Sequence, residues 1–149
     1  MKNLTLSALS LALVIALAGC KADETPAETR EDVSEARAEA NAEVRDEQAD
    51  ASEAIGEANA DLNEASAETN QEYDEASADA IEDTAQARHD VAIAKADGNL
   101  KVAKEICDGM PVNDRDACNA SAESEYEMAK SAARAELEAA EETADQLNR

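Results

Sequence analysis

The chain contains no phenylalanine and no tryptophan, and Tyr73 and Tyr126 are its only aromatic side chains. An aromatic ring removes about 150–250 Å² from water when buried, and domains rely on several of them to fill their interior. The large aliphatic residues beyond position 20 are thinly spread (Val33, Val44, Ile55, Leu62, Ile81 and Val91 among them), so 149 residues of this kind cannot close a conventional globular core. Sparse apolar residues with high charge are otherwise a signature of disorder. Here alanine and glutamate decide the matter. Both are strong helix formers, and between Arg30 and Asp97 only Gly56 interrupts them. The expected fold is all-α and coiled-coil-like, with thin apolar stripes in place of a core.

The formal net charge of −23 at pH 7 becomes one unit more negative if Lys2 leaves with a cleaved leader. Such a surface repels phosphate backbones and anionic lipid headgroups, which excludes nucleic acid as a partner. Divalent cations and basic envelope proteins or peptides remain.

Lys2 precedes an apolar run from Leu4 to Leu17, interrupted by Thr5, Ser7 and Ser10, and the run ends in Leu17-Ala18-Gly19-Cys20. It is shorter than the ~20 residues needed to cross a bilayer and ends in small residues, the pattern of a signal peptide over 1–19 cut between Gly19 and Cys20. Leu17-Ala18-Gly19-Cys20 resembles the lipobox of bacterial lipoproteins. That resemblance implies a Cys20 diacylated on sulfur and acylated on its new amino group, an anchor that several acyl chains make effectively permanent. In such lipoproteins an Asp after the cysteine retains the protein at the inner membrane. Lys21 stands here instead, which implies the periplasmic face of the outer membrane of a Gram-negative cell.

Residues 20–25 read as a lipidated tether, and Thr25-Pro26-Ala27-Glu28 as a helix start, with Thr25 as cap, Pro26 at the first helical position and Glu28 closing a capping box. From Val33 the chain falls into eleven-residue blocks beginning at Val33, Val44, Ile55, Ser66, Ser77 and Arg88. Asn63-Glu64-Ala65-Ser66-Ala67-Glu68, for example, is echoed by Asp74-Glu75-Ala76-Ser77-Ala78-Asp79. Eleven residues over three turns almost match the natural helix, so a stripe stays on one face with little supercoiling. The stripe is Val33, Ala36, Ala40, Val44, Ala51, Ile55, Ala58, Leu62, Tyr73, Ala76 and Ala80. Asp46, Asp50, Glu53, Glu57, Asp61 and Glu64 begin an opposing ridge that continues to Asp83, and no Lys or Arg occurs between Asp46 and Ala87.

These features predict one acidic helix over 26–98, a rod on the order of 100 Å long. Gly56 weakens it, and Asp97-Gly98-Asn99 is expected to kink or break it. The thin stripe implies weak self-association at best.

In residues 99–149, Cys107 and Cys118 are the thiols left once Cys20 is lipidated, and an exported chain meets an oxidising compartment. Gly109 can end one helix, Pro111 prevents continuation and Asn113 can cap the next, so a Cys107–Cys118 disulfide would staple a helical hairpin behind its turn. The rival readings are a redox couple, whose sulfurs sit closer in sequence, and a metal site, for which His89 is the sole histidine, eighteen positions upstream. The returning helix would present Cys118, Ala122, Tyr126, Ala129, Ala133, Leu137, Ala140 and Ala144 to Ile93, Ala96, Leu100 and Ala103. The stretches His89–Gly98, Lys101–Asp108, Asp116–Cys118 and Ala122–Lys130 resemble a group of small Ala-rich exported proteins of Proteobacteria. That resemblance covers about the last 60 residues, implies a two-cysteine helical hairpin and carries no activity with it.

No reaction is legible. His89 lies between Arg88 and Asp90 with no nucleophile at a productive spacing, and the many carboxylates share one exposed environment where acid–base catalysis needs two. Asn113-Asp114-Arg115-Asp116 lacks the central Gly and distant Glu of a calcium loop. Tyr73 and Tyr126 read as packing anchors. The expectation is therefore a non-enzymatic lipoprotein without cofactor or dedicated metal site, acting as an envelope spacer or interaction module with its hairpin at the far end. It resembles small murein lipoproteins in plan, but ends in Asn148-Arg149 without their terminal Lys. The rival expectation is a stress-protective or cation-buffering helical protein, similar in its repeats to desiccation-associated proteins.

Overall fold

The computed structural model describes residues 25–66 and 70–148. They form three helices, α1 (Pro26–Ala65), α2 (Asn70–Asp108) and α3 (Val112–Leu147), with no strand among the described residues. The expected leader, Gly19 and Cys20 lie outside that range.

α1 begins as its sequence demands. The Thr25 backbone N–H donates to Glu28 Oε2 at 2.8 Å and the Glu28 N–H donates to Thr25 Oγ1 at 3.4 Å, a complete capping box with Pro26 at the first position. The Thr25 hydroxyl also donates to Glu28 Oε2 at 2.7 Å, and this bond first, with the Thr25 backbone N–H second, favours the charged form and holds the Glu28 carboxyl below its usual range.

The rod is shorter than expected. α1 ends at Ala65, where the Ser66 N–H bonds to the Leu62 carbonyl, and α2 runs back along it. A single long helix would leave its apolar stripe in water, and a four-residue connection closes at small entropic cost. The expected break at Asp97-Gly98-Asn99 does not occur, because α2 continues through Gly98 to Asp108. The ~1 kcal/mol that glycine costs a helix is outweighed by packing on both sides. A Cβ built on Gly98 would lie 2.7 Å from Ala40 Cβ, so the missing side chain lets α1 approach. At Gly109 a Cβ would lie 2.3 Å from Thr29 Cγ2, and no glycine among the described residues has positive φ, so Gly109 also serves close approach rather than a left-handed helix cap.

These two contacts set the register. Gly98 meets Ala40 and Gly109 meets Thr29, each pair eleven residues from the other on both helices. The sequence repeat is thus the pairing repeat of the α1/α2 hairpin.

On α2, Gly98 faces α1 while Cys107 is bonded to Cys118 of α3. Nine residues at about 100° each put those positions half a turn apart. α1 and α3 consequently flank α2 on opposite sides, and no Cα of α1 comes within 8 Å of one of α3 among the described residues. The molecule is a layer of three antiparallel helices. Its buried side chains are small: Ala36, Ala40 and Ala58 of α1, Ala78, Ala87, Ala96 and Cys107 of α2, and Ala122, Ala133 and Ala144 of α3.

The turn between α2 and α3 lies beside Thr29, at the end where α1 starts, and not at the far end of the molecule. Nor does Asn113 cap α3. Pro111 holds the cap position, its carbonyl accepting from the Asp114 N–H at 2.8 Å, because the preset proline φ already starts the helix. Of the expected packing residues, Ala129 is exposed and Tyr73 is 44 % exposed, whereas Tyr126 is half-buried.

Candidate interaction surface

Folding back gathers charge. The connection end of the layer is built from residues 46–66, 70–87 and 135–148, which carry eighteen Asp and Glu and not one Lys or Arg. The other half holds ten basic side chains against fifteen acidic ones in residues 25–45, 88–108 and 112–134. A ridge that runs along the sequence has become one pole of a molecule about 60 Å long. Asp46, Asp50, Glu53, Glu57, Asp61 and Glu64 are exposed, as are Glu72, Glu75, Asp79 and Asp83.

Above the middle of the α1/α2 interface, Glu43, Asp46 and Glu47 face Asp90 and Asp97 across an open groove floored by Ile93 and Ala94. Burial raises the pKa of Asp90. Hydrogen bonds from Gln86 Nε2, at 2.9 and 3.0 Å, and from His89, together with the His89 charge, outweigh burial and lower it overall. His89 is thereby occupied locally, its Nδ1 3.0 Å from Asp90 Oδ1. Among the described residues no group of three or more His, Cys, Asp and Glu side chains is placed to hold a metal ion.

The half with mixed charge carries the cross-links between helices. Cys107 and Cys118 form a disulfide with Cα atoms 5.6 Å apart, and Cys107 is 1 % exposed. Lys101 of α2 pairs with Glu39 of α1, and Lys104 pairs with Glu123 of α3 at 3.4 Å. The Asp97 carboxylate faces Tyr126 across the α2/α3 interface, and side-chain hydrogen bonding to it first and burial second raise the phenol's pKa. Lys130 lies 4.7 Å from the centre of the same ring.

Sequence spacing identified the cysteine pair and the carboxylate ridge. It missed the partners of Lys101, Lys104 and Tyr126 and the purpose of Gly98 and Gly109. One signal was present for the glycines: Ala54, Ala65, Ala76, Ala87, Gly98 and Gly109 form an unbroken row of small residues at eleven-residue spacing.

None of the described helices is long and apolar enough to cross a membrane. Comparison with known proteins identifies no relative, since no family model matches the chain and neither a curated protein nor a solved structure does.

Proposed function

We propose that this chain is a lipoprotein of the Gram-negative envelope, held through an acylated Cys20 to the periplasmic face of the outer membrane and acting without catalysis as a spacer that presents a carboxylate pole to a basic partner. The observation that carries the reading is the polarity of the layer. Thr25, five residues after Cys20, lies at the mixed-charge end, and the wholly acidic half lies at the other. An N-terminal anchor would set the acidic half roughly 30–60 Å from the lipid. That is several Debye lengths at physiological salt, about 8 Å each, so the anchor and the carboxylates do not oppose one another. A rigid layer fixes the distance, and its pole attracts cations and basic surfaces by long-range attraction.

The test is site-specific photo-crosslinking in cells from Tyr73 and Leu147 at the acidic pole, with Met110 at the anchor end as control. A basic envelope protein captured from the first two positions and not from Met110 supports the reading. Capture of unrelated proteins from all three positions overturns it. The concentration of eighteen carboxylates at one pole favours a second reading, cation buffering with a protective role. Calorimetric titration with calcium separates the two, because a buffer takes up several ions per chain at millimolar concentration and a spacer needs none.

A further inference from the structure

The α1/α2 hairpin has a symmetry that its own chain does not use. Gly98 pairs with Ala40 and Gly109 with Thr29, so residue numbers across the interface add to 138 and the pairing is symmetric about position 69. Two straight helices running antiparallel about that point would make the same pairings between chains. We propose that the α2-facing side of α1 is also an interface between two copies of this protein: the connection joins α1 and α2 into one continuous helix, and the α1 of each copy packs on the α2 of the other.

Three further observations support this exchange. The eleven-residue blocks pass through the connection in phase, from Ile55 to Ser66, Ser77 and Arg88, and the row of small residues Ala54, Ala65, Ala76 and Ala87 crosses it without a gap. Ala40, Ala51 and Leu62 of α1 stand 36 residues before Ala76, Ala87 and Gly98 of α2, about ten full turns of a straight helix, and so form one stripe on it. The connecting residues Ser66-Ala67-Glu68-Thr69 include no Gly or Pro, whereas Gly109-Met110-Pro111 joins α2 to α3. Local preference at the first connection is for helix, in conflict with a turn. Finally, α1 is the helix free to exchange. The Cys107–Cys118 disulfide ties α3 to its own α2, and among the described residues no Cα of α1 lies within 8 Å of one of α3.

The exchanged pair is a closed two-fold dimer, each copy giving and receiving the same element. Its contacts are those of the monomer made twice, so charge governs the balance. The acidic halves of both copies meet at the centre of the dimer, where repulsion is strongest, and screening by salt or divalent cations shifts the population towards it. On the acylated reading above, the two N-termini would stand roughly 130 Å apart at opposite ends, a span that joins facing lipid surfaces.

The Lys101–Glu39 ion pair supplies the test in the unaltered protein. Full chain in detergent and its ¹⁵N-labelled counterpart are mixed in equal amounts, unfolded and refolded together at about 10 mM and about 1 M salt, and treated with a zero-length carbodiimide. Mass spectrometry then reads whether the Lys101–Glu39 amide joins like or unlike isotopes. Unlike pairs rising with salt and protein concentration towards half of all amides, together with a dimer mass by light scattering, are expected. Glu68→Pro, which interrupts a continuous helix, should return the amide to like pairs while helix content by circular dichroism is kept. Like pairs alone at every salt and concentration overturn the proposal. The readout is the same whether or not Cys20 carries lipid.

Discussion

Ala40 Cβ lies 2.7 Å from the point where a Cβ on Gly98 would stand, and Ala40 Cα lies 3.4 Å from it. Gly56, the other glycine inside a helix-favouring run, has nothing within 4 Å of its Cβ position. The same substitution therefore has opposite signs at the two sites. Gly56→Ala should stabilise by about 0.5–1 kcal/mol through helix propensity alone. Gly98→Ala gains the same propensity but forces α1 away from α2, an overpacking cost of about 1–3 kcal/mol, so it should lower the melting temperature. Chemical denaturation of both variants checks this, and a stabilised Gly98→Ala protein would refute the close approach.

Closing the eleven-residue separation between Cys107 and Cys118 restricts the unfolded chain by roughly 2–3 kcal/mol of loop entropy. In a molecule whose buried side chains are nearly all alanine, that is a large share. Reduction should lower the melting temperature, with faster amide exchange in α3, which among the described residues packs on α2 alone, and the α1/α2 contacts least affected. Unchanged melting under reductant would show that the staple contributes nothing.

The Asp97 carboxylate beside Tyr126 favours the neutral phenol and raises its pKa above the ordinary 10.0. A raised folded-state value means the contribution to α2/α3 stability is complete below the unfolded pKa and is lost as pH rises through the folded one. Since Tyr73 is the only other tyrosine, the Tyr73→Phe variant reports Tyr126 alone by phenolate absorbance. Its midpoint should lie above that of free tyrosine and fall towards it in Asp97→Asn. A midpoint at or below the free value would remove the contact.

Glu28 has the opposite sign. Its lowered pKa, caused first by the Thr25 side chain and then by the Thr25 backbone, gives α1 a capping contribution present above the ordinary carboxylate range and lost as pH falls through the folded value. Amide exchange in the first turn of α1, corrected for intrinsic rate, should speed up on acidification in the natural chain. In Glu28→Gln it should not.

Salt reports the charge balance of the whole layer. Lys101–Glu39, Lys104–Glu123 and Lys130–Glu127 are ion pairs of the mixed-charge half, against eighteen carboxylates gathered at the other pole. Going from about 0.01 M to about 1 M salt shortens the screening length from 30 to 3 Å, which should raise the melting temperature. A fall would mean that the ion pairs outweigh the repulsion.

Local spacing and composition determined much of this molecule. The all-α class follows from abundant alanine and glutamate with only two aromatic side chains. Thr25, Pro26 and Glu28 declare the start of α1, the eleven-residue stripe marks its packing face, and the spacing of Cys107 and Cys118 around Gly109 and Pro111 locates the staple. Each of these depends on residues within a few turns of one another. Where the rod folds back was not legible, because Ser66-Ala67-Glu68-Thr69 contains no Gly or Pro and the fold-back is decided by pairings between residues about sixty to eighty positions apart, such as Ala40 with Gly98 and Thr29 with Gly109. For the same reason only the tertiary structure shows Gly98 to be a contact, the turn at Gly109 to stand beside the start of α1, and three separate acidic stretches to form a single pole. Helix propensity is a property of each residue with its neighbours, and it carries no information about which face of a uniform helix meets which.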